Sequence, residues 1–306
     1  MGKEWVVDYF KSMIEDNPEK GIPLKLNNFP DTFYKYRGLN DYTLESLEED
    51  RLWVADIESL NDPYECFLLS DDNEVLINFF KSENFQKTFY DLHNYKFTEE
   101  DIDQIIEADD IVVAYQSFCK RNNINIALDS IPKLSELDKW NEYKETAKKT
   151  TYICSFSEVN NSVVMWAHYA DCHKGICIEY DLINCNDFRL LMHPVYYCND
   201  FNRIRSLDEM TALTAVMNST IKSKEWGYEK EWRFTNFKRN NLPEDYNYNI
   251  VHVPTPKAVY LGARFDTNST YKKNQLLRIA REKKIPVFQM EMSEEKFVFK
   301  VGKHVQ

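Results

Sequence analysis

Glycine is scarce in this sequence, with 7 among 306 residues. A phosphate-cradling loop needs several glycines close together so that backbone N–H groups can crowd the ligand, and Tyr260-Leu261-Gly262-Ala263 offers one. Loops of that kind are excluded. Cysteine lacks a pattern: the odd count of 7, without a repeating spacing, argues against a disulfide framework and for a reducing compartment. Eighteen consecutive apolar residues occur nowhere, and MGKEWVVDYFKSM has neither the apolar run of a signal peptide nor the Ser or Thr of a myristoylation signal. The expectation is a soluble, cytoplasmic protein with no membrane partner. Positive charge is also in deficit, 38 Lys and Arg against 50 Asp and Glu for a net −12, which excludes broad affinity for nucleic acid. Lys222, Lys224, Lys230, Arg233, Lys238 and Arg239 nevertheless fall close together and read as a solvated basic surface.

What the chain does have is concentrated in TYICSFSEVNNSVVMWAHYADCHKGICIEY, Thr151 to Tyr180. Tyr152, Cys154 and Phe156 alternate with Ile153, Ser155 and Ser157, the period of a strand with one face inward. Asn160-Asn161-Ser162 supplies N-cap chemistry for a helix. That helix carries Val163, Trp166, Ala167 and Ala170 on one stripe and Met165, His168, Tyr169 and Cys172 on the next. Gly175 is expected to end it in a left-handed turn, and Ile176, Ile178 and Tyr180 resume strand alternation.

Around this stretch the pattern predicts a helix from Trp5 to Ile14, a strand over Phe33–Arg37, a helix from Thr43 to Asp50 and a strand at Leu52–Ala55, closed by the Asn61-Asp62-Pro63 turn. Acidic, helix-period sequence fills about residues 70–149. Further strands are expected at Val195–Tyr197, in the second half of Trp226–Phe234, at Tyr248–Val253, Ala258–Leu261 and Pro286–Met290, with an edge strand at Phe297–Val301. Helices are expected over Leu207–Lys224 and Tyr271–Lys283. Without strict βαβ alternation, this is a single α+β domain with a mostly antiparallel sheet, open to a split, flanked by helices and carrying a helical insertion.

Four signatures stand in order: Tyr34-Lys35-Tyr36-Arg37; Asn61-Asp62-Pro63-Tyr64-Glu65; Met165-Trp166-Ala167-His168-Tyr169 with His173-Lys174-Gly175; and Tyr228-Glu229-Lys230-Glu231-Trp232-Arg233. Together they resemble the bacterial domain-of-unknown-function family 2971, over roughly Phe33 to Gly262. That resemblance implies kinship and no reaction. Arg37, Ser155 with Ser157, and Glu229 with Glu231 also resemble, more distantly, the ordered elements of Arg-Ser-Glu ADP-ribosyltransferases, with Phe156 where the Ser element usually has Thr.

The second resemblance implies that NAD is a substrate. Arg37 would hold its pyrophosphate, Ser155 and Ser157 would support the nicotinamide-side ribose, and Glu231 would stabilise the developing oxocarbenium ion. Glu229 and Glu231, two apart, would share a strand face with Arg233. His168 or Tyr169 would orient nicotinamide or acceptor, and Asn61, Asp62 and Trp166 would complete the ligand site. The partners implied are a nucleotide or small-molecule ligand and a protein or nucleic-acid acceptor, in a toxin or phage-defence effector. No metal is expected in that reading.

Two other readings remain open. His168 and Cys172, one helical turn apart, with His173 or Cys177, would suit a metal site, against the plainer reading of a buried histidine beside small apolar cysteines. An aromatic pocket of Tyr36, Trp53, Tyr64, Trp166, Tyr169 and Trp226 would suit a non-enzymatic nucleotide- or peptide-binding module.

Overall fold

Alternation decides the faces of the two longest paired strands. In the computed structural model, which describes residues 4–15, 17–126, 138–238, 246–267 and 269–306, Phe156 lies opposite Trp232 and Cys154 opposite Phe234, while Ser157 lies opposite Glu231 and Ser155 opposite Arg233. Residues directly opposite in an antiparallel pair share a face. One face is therefore aromatic and the other carries hydroxyls and charges.

In chain order, α1 (Glu4–Ile14) and α2 (Pro18–Asn27) precede β1 (Phe33–Arg37), α3 (Asp41–Glu48), β2 (Arg51–Trp53) and β3 (Ala55–Asp56). β4 (Leu69–Ser70) leads into α4 (Asp72–Lys81), α5 (Glu83–His93), α6 (Glu99–Ile106), α7 (Ile111–Arg121) and α8 (Asp138–Thr150). Next come β5 (Thr151–Ser157), α9 (Val163–Tyr169), β6 (Ile176–Tyr180), α10 (Asn186–Leu191), β7 (Met192–Pro194), β8 (Tyr196–Cys198) and β9 (Arg203–Ile204). The chain closes with α11 (Ala212–Asn218), β10 (Ile221–Ser223), β11 (Glu231–Phe237), β12 (Ile250–His252), β13 (Ala258–Leu261), α12 (Thr270–Glu282), β14 (Val287–Met292) and β15 (Phe299–His304).

The chain is α+β and divides into two compact units. The first comprises Met1–Glu65, Thr150–Asp200 and Ser219–Gln306. Its nine-stranded sheet runs β15-β14-β13-β6-β1-β5-β11-β7, with β3 pairing β5 off that path. All its pairings are antiparallel except β13 with β14. The second unit comprises Cys66–Lys149 and Phe201–Asn218. The helical stretch expected at residues 70–149 falls there, joined by a later segment that nothing in its own composition ties to it. That unit has its own core, where Phe80, Phe89, Phe97, Ile105, Tyr115 and Phe118 are buried together, and α6 opens on a full capping box between Thr98 and Asp101.

In the first unit, Phe33, Phe156, Trp232 and Phe234 pack with Val259, Leu276 and Val287 on one sheet face. Trp232 meets Phe33 and Phe29 edge-on at centroid distances of 5.7 and 5.4 Å, contacts worth about 0.5–1.5 kcal/mol each beyond their burial. On the other face Trp166, Tyr36, Cys177 and Tyr260 form a second cluster under α9. Ser162 caps that helix by accepting from the Met165 N–H.

Two features position the site. First, β1 and β5 pair through one residue couple among the described residues, Tyr34 with Ser157, and further along β5 it is β3 that pairs, Ala55 with Ile153. The sheet splits there, and the Lys35 ammonium reaches across to the Ser155 carbonyl at 2.6 Å. Second, α9 does not turn left-handed at Gly175. It stops at Tyr169, and Asp171, Cys172 and His173 take the positive φ values, 45°, 50° and 69°. Gly175 is required for a different reason: a Cβ there would meet the Arg37 carbonyl oxygen at 2.2 Å. Gly175→Ala is therefore expected to cost about 3 kcal/mol or more, read as a lower urea midpoint; an unchanged midpoint would contradict this packing.

The helix expected over Leu207–Lys224 is broken as well. α11 covers only Ala212–Asn218, and β10 then pairs in parallel with β8. The polar and β-branched run Asn218-Ser219-Thr220-Ile221 cannot continue an amphipathic helix. The strand that replaces it delivers Lys222 to the interior.

Candidate functional site

At the sheet split lies a cavity of about 450 Å³ whose walls include Lys35 and Arg37 of β1, Ser155 and Ser157 of β5, Asn61, Glu65, His168, Tyr169, Lys222, Glu229 and Glu231. Trp53 and Tyr36 add aromatic surface. Arg37 and Glu231, 194 positions apart by number (231 − 37), thus line one space from strands on either side of β5.

The acidic wall is a buried ionic network. Glu229 does not lie on β11 as expected. A 3₁₀ turn (Lys224–Glu229) ends on it, Lys230 adopts a left-handed φ of 45°, and only Glu231 begins the strand. The two carboxylates converge anyway because the Lys222 ammonium lies 2.8 Å from Glu229 and 3.3 Å from Glu231 and from Glu65. Arg233 donates through Nε to Glu231 at 2.9 Å and through Nη2 to Glu65 at 2.9 Å, and Nη1 bonds both Glu65 and the Ser219 carbonyl. The Tyr169 hydroxyl donates to Glu229 at 2.5 Å. The Ser157 hydroxyl, which was expected to support a ribose, donates to the Glu229 backbone carbonyl at 2.6 Å and so fixes the turn.

Three carboxylates therefore share two cations. Burial raises the Glu229 carboxyl, helped by the Glu231 charge, to about 7 against the partial relief from Lys222. Burial would raise Glu231 too, but Arg233 and then Lys222 outweigh it and hold that carboxyl well below the usual range, with a hydrogen bond from Ser155. The pair is split into one permanently ionised group and one that titrates near neutrality, the pattern that assigns acid-base roles. Between about pH 4.5 and 7 the folded chain keeps a Glu229 proton that an unfolded chain releases, so stability from this group falls as pH rises through that window. Glu229→Gln is expected to flatten that fall, making the variant more stable than the parent at pH 7.5 and similar at pH 5. Thermal unfolding followed from pH 5 to 8 checks this, and parallel curves would refute it.

The basic wall differs in kind. Lys35 is buried with its ammonium on the Ser155 carbonyl and over the Phe156 ring at 5.4 Å, and burial pushes its pKa down. Arg37 is half-buried, and among the described residues its guanidinium makes no hydrogen bond or ion pair with any side chain. A planar donor fork left open in a cavity is suited to a paired-oxygen anion.

Other expected site residues lie elsewhere. Trp166 is sealed in the core, donating to the Asn160 carbonyl at 2.7 Å, beside Met165 of the neighbouring stripe, whereas Val163 of its own stripe is exposed. Asp62 is buried and accepts from the Tyr64 N–H as a turn residue. Arg233 is a fully buried counterion and does not face the cavity. Of the expected basic surface, Lys224, Lys230 and Lys238 are exposed, while Lys222 and Arg233 are drawn inside by carboxylates; Arg239 lies outside the described residues. His168 stands exposed at the rim, its Nδ1 3.1 Å from the Tyr228 hydroxyl. Since α9 ends at Tyr169, His168 and Cys172 are not a helical turn apart, and Cys177 is buried on β6. Among the described residues no three His, Cys, Asp or Glu side chains are grouped to hold a metal. Nor is any helix among them long and apolar enough to cross a membrane.

Glu65, Lys222 and Lys35 were not singled out as site residues in the sequence. Glu65 and Lys35 do belong to the first two signatures. Lys222 carried no signal of its own.

Residues 165–234 match the family model described as "Protein of unknown function (DUF2971)". No curated protein and no solved structure matches the chain. The matched segment holds His168, Tyr169, Lys222, Glu229, Glu231 and Arg233, hence the network apart from Glu65. Arg37, Lys35, Ser155 and Ser157 lie outside it.

Proposed function

We propose that the chain cleaves the nicotinamide glycosidic bond of NAD and transfers ADP-ribose to an acceptor. The observation that carries this reading is that an unpaired guanidinium, Arg37, lines the same cavity as two carboxylates of divergent protonation, Glu229 and Glu231. A cavity of this size is within the usual range for ligand sites. The Glu231 carboxylate, held ionised, suits a ligand that develops positive charge, and Arg37 suits a pyrophosphate.

In this mechanism the bond between ribose C1′ and the nicotinamide nitrogen breaks, and its electron pair leaves with nicotinamide. Glu231, ionised throughout, stabilises the oxocarbenium character at C1′. An acceptor lone pair forms the new bond, and the acceptor proton passes to Glu229, which is about half ionised near neutrality. Tyr169 positions Glu229 through its hydroxyl, His168 at the rim orients nicotinamide or the acceptor, and Trp53 supplies a ring face. The acceptor is a protein or a nucleic acid, as suits an effector of the toxin or phage-defence kind. Incubating the purified chain with NAD and quantifying nicotinamide by chromatography tests the reading. Release above the uncatalysed rate is expected. Absence both of release and of calorimetric NAD binding would end it.

A further inference from the structure

Away from the sheet split, α1, α2, α10 and β7 enclose a separate cavity of about 290 Å³. Its floor is polar and deeply buried. Lys25 is 3% exposed, and its ammonium donates to the Leu190 carbonyl at 2.8 Å. The Tyr9 hydroxyl and His193 Nδ1 are 2.6 Å apart beside it. Arg189 also lines the space, and its Nε is buried without a hydrogen-bond partner. Ile22, Leu26 and Leu190 line it too and are all exposed large apolar side chains, so they form a greasy rim.

The buried Lys25 ammonium and the half-buried Arg189 guanidinium share this cavity, and among the described residues no carboxylate pairs with either. Burying an ammonium without a counterion is costly. Capping α10 accounts for one of the three Lys25 donors, at the carbonyl of Leu190. It does not account for a second unpaired cation or for the open space between them. His193 cannot supply negative charge, and burial together with Lys25 holds its ring neutral, at about 3. Donors at the floor and apolar groups at the rim match an amphipathic anion, head down and tail outward.

We infer that this cavity binds a small carboxylate with a short aliphatic tail, its head on Lys25 and Arg189 and its tail along Ile22, Leu26 and Leu190. Nothing here depends on the NAD reading, because none of these residues lines the cavity at the sheet split.

Sodium hexanoate is the probe, with hexylammonium and inorganic phosphate as controls, read by calorimetry and by thermal unfolding of the full chain. Hexanoate is expected to bind and raise the melting temperature, and hexylammonium to do neither. Lys25→Met should weaken hexanoate binding about tenfold or more, equivalent to about 1.4 kcal/mol. The same variant should melt higher than the parent when no anion is added, since it removes an uncompensated buried charge. Arg189→Leu, at a less buried position, should weaken hexanoate severalfold and serves if Lys25→Met does not fold. No hexanoate binding by the parent, or equal binding by both variants, would overturn the site. A response to phosphate as strong as to hexanoate would overturn the amphipathic assignment.

Discussion

Arg233→Ala is expected to lower the stability of the first unit by about 3–5 kcal/mol, the usual cost of breaking a buried ion pair by removing one partner. The side chain is 1% exposed. It is the principal partner of both Glu65 and Glu231, and its loss leaves those two carboxylates to share with Glu229 the single Lys222 ammonium. Those groups must then take up protons or draw in water, and either outcome strains the start of β11, where Glu231 opens the strand. Arg233→Lys should recover only part of the loss, because a point-like ammonium cannot satisfy two carboxylates and the Ser219 carbonyl in one plane. Urea titration of parent and variants gives the comparison. A midpoint for Arg233→Ala within about 0.5 kcal/mol of the parent would mean that the network is not the interior scaffold described here.

The second large effect concerns chemistry. Glu231→Gln is expected to slow nicotinamide release from NAD by on the order of 10²–10³, the range seen when one preorganised electrostatic partner of a developing charge is removed. Glutamine keeps an acceptor for the Arg233 Nε and nearly the same volume, so the fold should survive while the negative charge is lost. Arg37→Ala should act differently. It removes contacts to the anionic part of the ligand in ground state and transition state alike, so KM should rise by roughly 10–100-fold, from about 1.5–3 kcal/mol of charge-assisted bonding, with kcat little changed. If Glu231→Gln retains the parent rate in a preparation that demonstrably consumes NAD, the assignment of that carboxylate is wrong.

How much of this was visible in the chain itself depends on the range over which each feature is decided. The Phe33–Arg37 and Ala258–Leu261 strands occur where their β-prone residues put them, as does the α12 helix, and the α+β class follows from strands and helices without strict βαβ alternation. These are local properties: a strand needs a short run of β-prone residues, apolar on each face that is buried, and a helix needs its stripe. The gathering of Arg37, Ser155, Glu229 and Glu231 was legible as an ordered pattern of residue types, while the means of gathering was not.

What the sequence alone determined is therefore the repertoire: a glycine-poor, acidic α+β chain without Gly-rich loops, with inward-facing aromatics on its central strands and charged residues placed to meet. Tertiary structure decided which charges are walls and which are girders. Arg233 and Lys222 look like surface bases until three carboxylates surround them, whereas Arg37 stays open because β1 parts from β5 after a single pair. The reason is physical. Whether a charged side chain faces solvent, a partner or a cavity depends on the groups that distant strands bring within a few ångströms of it, and no window of neighbouring residues contains that information.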